Sequence, residues 1–289
     1  MRDDEGMKQV NITLATALLA AILPLSGLPA SAQSAEADIV AKLKDKPLFL
    51  MGLWADDKLK FDAQGHPTGN YKLAPFTVCG MHVDKVNLHG SHLKLEGERE
   101  GITFDRDDTM TRLTMMVGSG PNPKDMKPEK MSVEIDNGDS RDFEPALNAI
   151  FTEDSKQFAS VLPDFWQPYF RKHFGVPPLP VQPTSLITEQ KTNKASHVGG
   201  TVRPPKLIHN VEPEFSEDAR RMKISGNVQV YLWVDENGNP SHVVVVRPAG
   251  MGLDEKAIEA VKQYHFSPAL RDGKPITVDI YIDVNFQIF

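Results

Sequence analysis

The chain has 289 residues, enough for two domains of ordinary size, and its 40% hydrophobic and 25% charged content is close to globular averages. A net charge of −7 argues against the basic face that nucleic-acid binding requires, so no nucleic-acid partner is expected. The single cysteine, Cys79, leaves no internal disulfide to form and is expected to be a small buried core residue.

Residues 12–32 carry no charge, and a compact apolar block at 14–23 is followed by Pro24, Gly27 and Pro29. Ala30-Ser31-Ala32 then offers a small-x-small cleavage site, so residues 1–32 have the order of a secretory signal peptide. A spanning helix needs about 20 consecutive apolar residues, and helix breakers interrupt this run at about half that length. Cleavage after Ala32 is therefore favoured over an uncleaved anchor.

A short helical stretch is expected at 38–44, then short apolar runs separated by turn residues. Residues 48–54 and 58–61 are candidate strands on either side of a loop, with a turn at Ala63-Gln64-Gly65. Residues 76–86 and 92–96 alternate apolar and polar at period two, as half-buried strands do. Strands at 102–104, 113–117 and 131–135 continue the series, divided by turns at Gly118-Ser119-Gly120-Pro121 and Asp136-Asn137-Gly138. Residues 143–151 and 158–174 read as helical, with Pro163 and Pro168 interrupting the second. Residues 37–175 thus form a β-rich domain of unknown role with helices at its C-terminal end. Residues 176–202 are a proline-containing linker, opening on Val176-Pro177-Pro178-Leu179-Pro180 in extended polyproline style and continuing as a polar tract.

From residue 203 the pattern sharpens. Ser216 caps a helix with Glu217 and Asp218 in its first turn and Arg220, Arg221 and Lys223 near its end, and Gly226 stands where a terminating glycine belongs. Val228, Val230, Leu232 and Val234 share one side of a strand, and Gln229, Tyr231, Trp233 and Asp235 the other. Asn237-Gly238 signals a hairpin, returned by a strand at 243–246. A loop through Gly250 and Gly252 leads to a helix from Leu253 to about Tyr264, apolar along one stripe and ended by Pro268. The turn Arg271-Asp272-Gly273-Lys274 opens the longest expected strand, 276–288, alternating throughout. The fold class is α+β: a small three-stranded antiparallel sheet with two helices on one face.

Pro213-x-Phe215-x-x-x-Ala219-Arg220, Gly226-x-Val228-x-Val230, Val234-Asp235-x-x-Gly238, Gly252-Leu253-Asp254-x-x-Ala257 and Phe266-x-Pro268-Ala269-x-x-Asp272-Gly273-Lys274 follow one another in this module. Together they resemble the C-terminal domains of the TonB family, over residues 203–289. Phe215-Ser216 stands where many members have Tyr-Pro. The resemblance implies a non-catalytic domain that captures a short segment of an outer-membrane TonB-dependent receptor as an added strand beside its last strand. It implies no cofactor, metal or catalytic residue. On this resemblance the added strand is expected along Ile280, Tyr281, Ile282, Asp283, Val284 and Asn285, in support of energy-dependent transport. The location that follows is the periplasm, with inner-membrane anchorage through an uncleaved N-terminus as the alternative.

Two other readings stay open: a periplasmic scaffold using the module for self-association as a homodimer, and an enzyme with its activity in residues 37–175. Tyr231 and Trp233, with Tyr281, are a candidate interface with the first domain or a second copy. His82, His89 and His92 lie close in sequence, but strand alternation does not bring them to one face as a zinc site would need. Glu96, Glu98 and Glu100, followed by Asp105, Asp107 and Asp108, read as a solvated acidic face rather than paired catalytic carboxylates.

Overall fold

The computed structural model describes residues 30–118, 125–175, 196–197 and 202–288. The apolar block of the expected signal peptide and most of the expected linker lie outside them. Among the described residues no helix is long and apolar enough to cross a membrane.

The N-terminal half contains α1 (Ala30–Leu43), β1 (Leu48–Leu50), β2 (Lys58–Phe61), β3 (Gly80–His89), β4 (His92–Phe104), β5 (Met110–Thr114), β6 (Met116–Val117) and β7 (Lys127–Pro128). It continues through β8 (Lys130–Asp136), α2 (Glu144–Ile150), β9 (Phe151–Thr152), α3 (Ser155–Ala159) and α4 (Gln167–Phe174). One sheet runs in the order β2-β8-β4-β3-β1-β9, with β5 also paired to β4. Its organising unit is the β3–β4 hairpin, whose tight turn is possible because Gly90 adopts φ +64°. Alternation places Leu59, Phe61, Leu93, Leu95, Val133 and Ile135 on one face, where Ile39 and Leu43 of α1 and Leu147 and Ile150 of α2 cover them. Cys79 is buried in that same core, and burial pushes its thiol up to about 12, so it stays a protonated packing group.

Strand β4 is one continuous element of 13 residues, although residues 92–96 and 102–104 read as separate strands. Gly97 and Gly101, which punctuate the sequence, are sites of close approach rather than turns. A Cβ on Gly97 would lie 2.0 Å from the His82 carbonyl oxygen, and one on Gly101 would meet the sulfurs of Met115 and Met251 at 2.6 Å. The expected helix at 158–174 is broken into α3, a 3-10 turn at Asp164–Trp166, and α4, with Pro163 and Pro168 at the breaks. Residues 76–78 form a 3-10 turn, and the strand begins only at Gly80.

The C-terminal half contains β10 (Ser196–His197), β11 (Val202–Arg203), β12 (Lys206–His209), α5 (Glu217–Met222), β13 (Gly226–Val234), β14 (Pro240–Arg247) and α6 (Leu253–Val261). After them come β15 (His265–Ser267), β16 (Ala269–Arg271), β17 (Lys274–Ile276) and β18 (Val278–Phe286). The main sheet is ordered β10-β18-β13-β14. Its three long strands are antiparallel, and β10 adds a short parallel pairing to β18. Ser216 caps α5 as expected, its Oγ accepting from the Ala219 amide at 3.0 Å and donating to the Met251 carbonyl. That helix ends earlier than the glycine suggested: Lys223 takes the left-handed conformation (φ 54°), and Gly226 instead opens β13. The expected strand at 276–288 is divided at Thr277 into β17 and β18.

The two halves pack directly on one another. A single hydrophobic core contains Val230, Val245, Leu253 and Val261 together with Phe76, Ile102, Phe158, Trp166 and Phe170. Phe170 before the expected linker and Val202 at its last position belong to the same core, and Ser196–His197 within it form β10.

Candidate functional site

The two sides of the C-terminal sheet are unlike. Strand β18 pairs with β13 along its whole length, from Gly226↔Phe286 to Val234↔Val278. On its other side β10 meets only Val278 and Asp279, and among the described residues no strand pairs there with Ile280 to Phe286. An open ladder edge presents unpaired N–H and C=O groups to any extended segment.

Side chains along this edge alternate as the sequence demands. Val278, Val284 and Phe286 are buried on the core face, and Phe215 packs edge-on against Phe286 at 5.6 Å. Ile280 and Ile282 share that face but remain half-buried, so the middle of the edge is the part whose apolar surface is incompletely covered. On the opposite face Tyr281 is 55% exposed and packs against Tyr231, ring centroids 5.3 Å apart. Asp283 Oδ1 accepts from the side-chain amides of Asn227 (3.3 Å) and Gln229 (3.1 Å), which fixes its carboxylate to the sheet. Asn285 is exposed beyond it.

Tyr231 and Trp233 lie on this same open face. Trp233 Nε1 donates to the Tyr231 hydroxyl at 2.8 Å, and its indole meets the His242 ring at a 31° tilt with centroids 4.0 Å apart. Both are half-buried, and of the three aromatics it is Tyr281 that lines a groove with Asp108, Pro168, Tyr169 and Lys172 of the N-terminal half. Asp108 gathers Lys172 (3.2 Å), His173 (3.6 Å) and Arg247 (3.6 Å) there. Burial raises the Tyr169 hydroxyl, with Asp108 adding to the shift, and that hydroxyl donates to the Asp108 carbonyl at 3.0 Å.

Strand β14, at the far side of the sheet, is closed off. The 3-10 turn Asp164–Trp166 and α4 pack against it. Just past its end, backbone pairing joins the two halves: Thr103 bridges Gly250, the Phe104 amide donates to the Ala249 carbonyl, and the Met251 amide donates to the Ile102 carbonyl. Gly250 is required here, because its φ is +89° and a Cβ would lie 2.2 Å from the Ile102 carbonyl oxygen. Asp254 holds this loop in place, its two carboxylate oxygens accepting the Ala249 and Gly250 amides at 2.8 Å each. The Gly252-Leu253-Asp254 motif is thus a loop-shaping device as much as a helix start.

Sequence reasoning did not single out the polar groups of this seam. Arg99 is 3% exposed, yet its guanidinium is satisfied by Glu129 (3.0 Å) and by the carbonyls of Trp54, Ala55, Asp56 and Val78. Glu129 pairs in turn with Arg221 of α5 (2.8 Å), and Arg221 with Asp218 (2.7 Å), so an ionic chain crosses the seam. Trp166 Nε1 donates to Glu255 at 3.1 Å, and the Gly252 amide donates to Thr77 Oγ1 at 2.9 Å. The available signal was the density of aromatics at 165–174, more than a solvated helix needs.

Of the histidines singled out earlier, the hairpin register brings His89 and His92 together, contrary to the alternation read from sequence, and leaves His82 apart. His82 lies near Asp45 (3.7 Å) and Asp84 (3.8 Å), while His89 and His92 face each other across the β3–β4 turn. Glu96 and Glu98 are matched by Lys94 and Lys130, and Glu100 by Arg112.

Residues 211–288 match the family described as Gram-negative bacterial TonB protein C-terminal. Protein TonB of Vibrio cholerae serotype O1 is 33% identical over 87 residues, covering 30% of this chain and 36% of that protein. Protein tonB2 of Pseudomonas aeruginosa is 32% identical over 82 residues, covering 28% of this chain and 30% of that protein. The similarity therefore spans about a third of the length of these relatives.

Proposed function

From a C-terminal domain that belongs to the TonB family, we propose that this protein is a non-catalytic binder that takes up an extended segment of an outer-membrane receptor as an added strand on β18. Binding in the periplasm would support energy-dependent transport across the outer membrane. The carrying observation is the asymmetry of the sheet: β14 is covered by the N-terminal half, whereas Ile280 to Asn285 is unpaired on one side among the described residues, with half-covered Ile280 and Ile282. In such a complex the ladder hydrogen bonds supply affinity. The incoming apolar side chains would complete the cover over Ile280 and Ile282 and supply selectivity.

The test is titration of the full-length protein with a fluorescent peptide carrying a receptor's N-terminal segment. Wild-type protein should bind saturably, and Ile280→Asp with Ile282→Asp should weaken binding at least about tenfold, because each carboxylate would be desolvated by the added strand. Equal affinity of wild-type and variant would remove β18 as the acceptor. A rise in mass to a dimer that blocks the peptide would instead favour self-association through the same edge.

A further inference from the structure

The seam between the halves contains a carboxylate that no cation among the described residues pairs with. Glu255 stands in the first turn of α6, and its Oε1 accepts from Trp166 Nε1 at 3.1 Å. Its Oε2 is shielded from solvent and has no hydrogen-bond partner among the described residues. The groups around it are mainly negative. Asp254 precedes it in the chain, fully buried, with both oxygens already accepting loop amides. Glu259 lies one turn on, and Glu217 and Asp218 of α5 line the same cleft. The nearby cations are engaged elsewhere: Lys256 by Glu214 and Glu259, Arg221 by Asp218 and Glu129, and Arg99 by Glu129. The N-terminal half contributes apolar surface here, from Leu53, Phe76 and Pro163, and the Cys79 thiol is close enough to feel the charge on Glu255.

Glu255 is half-buried at the wall of this cleft, but its Oε2 is shut away from water with nothing to donate to it, and a carboxylate so placed relieves the cost of its charge by protonation. We propose that packing of the two halves takes up a proton at Glu255, so that the seam is tighter in mild acid than in mild alkali. Neutral Glu255 keeps its acceptor oxygen on Trp166 and brings no unpaired charge into the seam. Burial, reinforced by Asp254 beside it, pushes the Glu255 carboxyl up to about 8, against an ordinary value of 4.5. The folded group therefore holds its proton through a range in which the unfolded chain has released it. The stabilising contribution is complete below the lower value and is lost as pH rises through the upper one. This linkage is independent of what binds β18.

The test is urea unfolding of the full-length protein between about pH 5 and pH 9, comparing wild type with Glu255→Gln, whose amide imitates the protonated acid. Within the window between the two values, the wild-type unfolding constant should rise about tenfold per pH unit relative to the variant, the signature of one linked proton. Parallel curves across the range would overturn the proposal. Should the variant fail to fold, carbon-13 NMR of glutamate side chains in the wild-type protein decides the matter. One glutamate titrating near 8 is expected, and all of them titrating in the ordinary range would contradict it.

Discussion

Of the three long strands of the C-terminal sheet, the two flanking β13 began as equivalent hydrogen-bonding opportunities and were treated in opposite ways. Strand β14 is flanked by α4 and by the turn holding Trp166, and the chain just beyond it pairs with Ile102 to Phe104. On its side away from β13, strand β18 receives among the described residues only the two-residue β10 at its start. An edge closed by a helix has no room for a partner strand, whereas one left unpaired among the described residues has. The covered edge is built from large buried aromatics, and the open one from two half-buried isoleucines and an exposed tyrosine. Stability and recognition are therefore expected to separate on mutation.

The largest effects should come from the closed side. Trp166→Ala removes a fully buried indole packed edge-on against Phe76 at 4.5 Å, and should cost about 3–5 kcal/mol in denaturant unfolding. A change within experimental error would mean that the halves do not depend on this packing. Arg99→Ala should be comparably damaging, by about 3–5 kcal/mol, because Glu129 would be left buried with one of its two cationic partners gone. If Arg99→Ala with Glu129→Ala together proves milder than the single change, the ionic chain acts mainly through that stranded charge.

Milder effects are expected from single positions away from the large aromatics. Gly250→Ala, at the join, combines a left-handed φ with a clash against Ile102 and should loosen the seam more than Gly273→Ala, which has a similar φ but open space around it. Unfolding midpoints compare them directly, and equal losses would mean that contact with β4 contributes nothing. Trp233→Ser should be the smallest, about 1 kcal/mol or less, since the half-buried indole loses a tilted ring contact with His242 and one hydrogen bond. A larger loss, or a change in oligomeric state, would show that the aromatic face of the sheet is an interface after all.

Much of the C-terminal half could be read from local chemistry. Alternation along Val228 to Val234 and Val278 to Phe286, the Ser216 cap and the Asn237-Gly238 turn each act within a few residues, and the structure reproduces them. The edge strand itself was placed by family resemblance, and its openness depends on strand order, which no short-range pattern records. In the N-terminal half the individual strands were visible, but not the parallel pairing of β2 with β8 or the continuity of β4 through Gly97 and Gly101. Those depend on which distant backbone comes close. The seam was invisible for the same reason: Trp166, Glu255, Arg99 and Arg221 are far apart in sequence and acquire meaning only when the halves meet.

Site-directed disulfide capture tests the central claim most directly. A receptor-segment peptide bearing one cysteine would be offered to full-length protein carrying either Asp283→Cys on β18 or Ser241→Cys on β14, with the buried native Cys79 giving little background. Capture at β18 and not at β14 is the predicted result. Capture at β14, or equal capture at both, would contradict the assignment of the open edge as the acceptor.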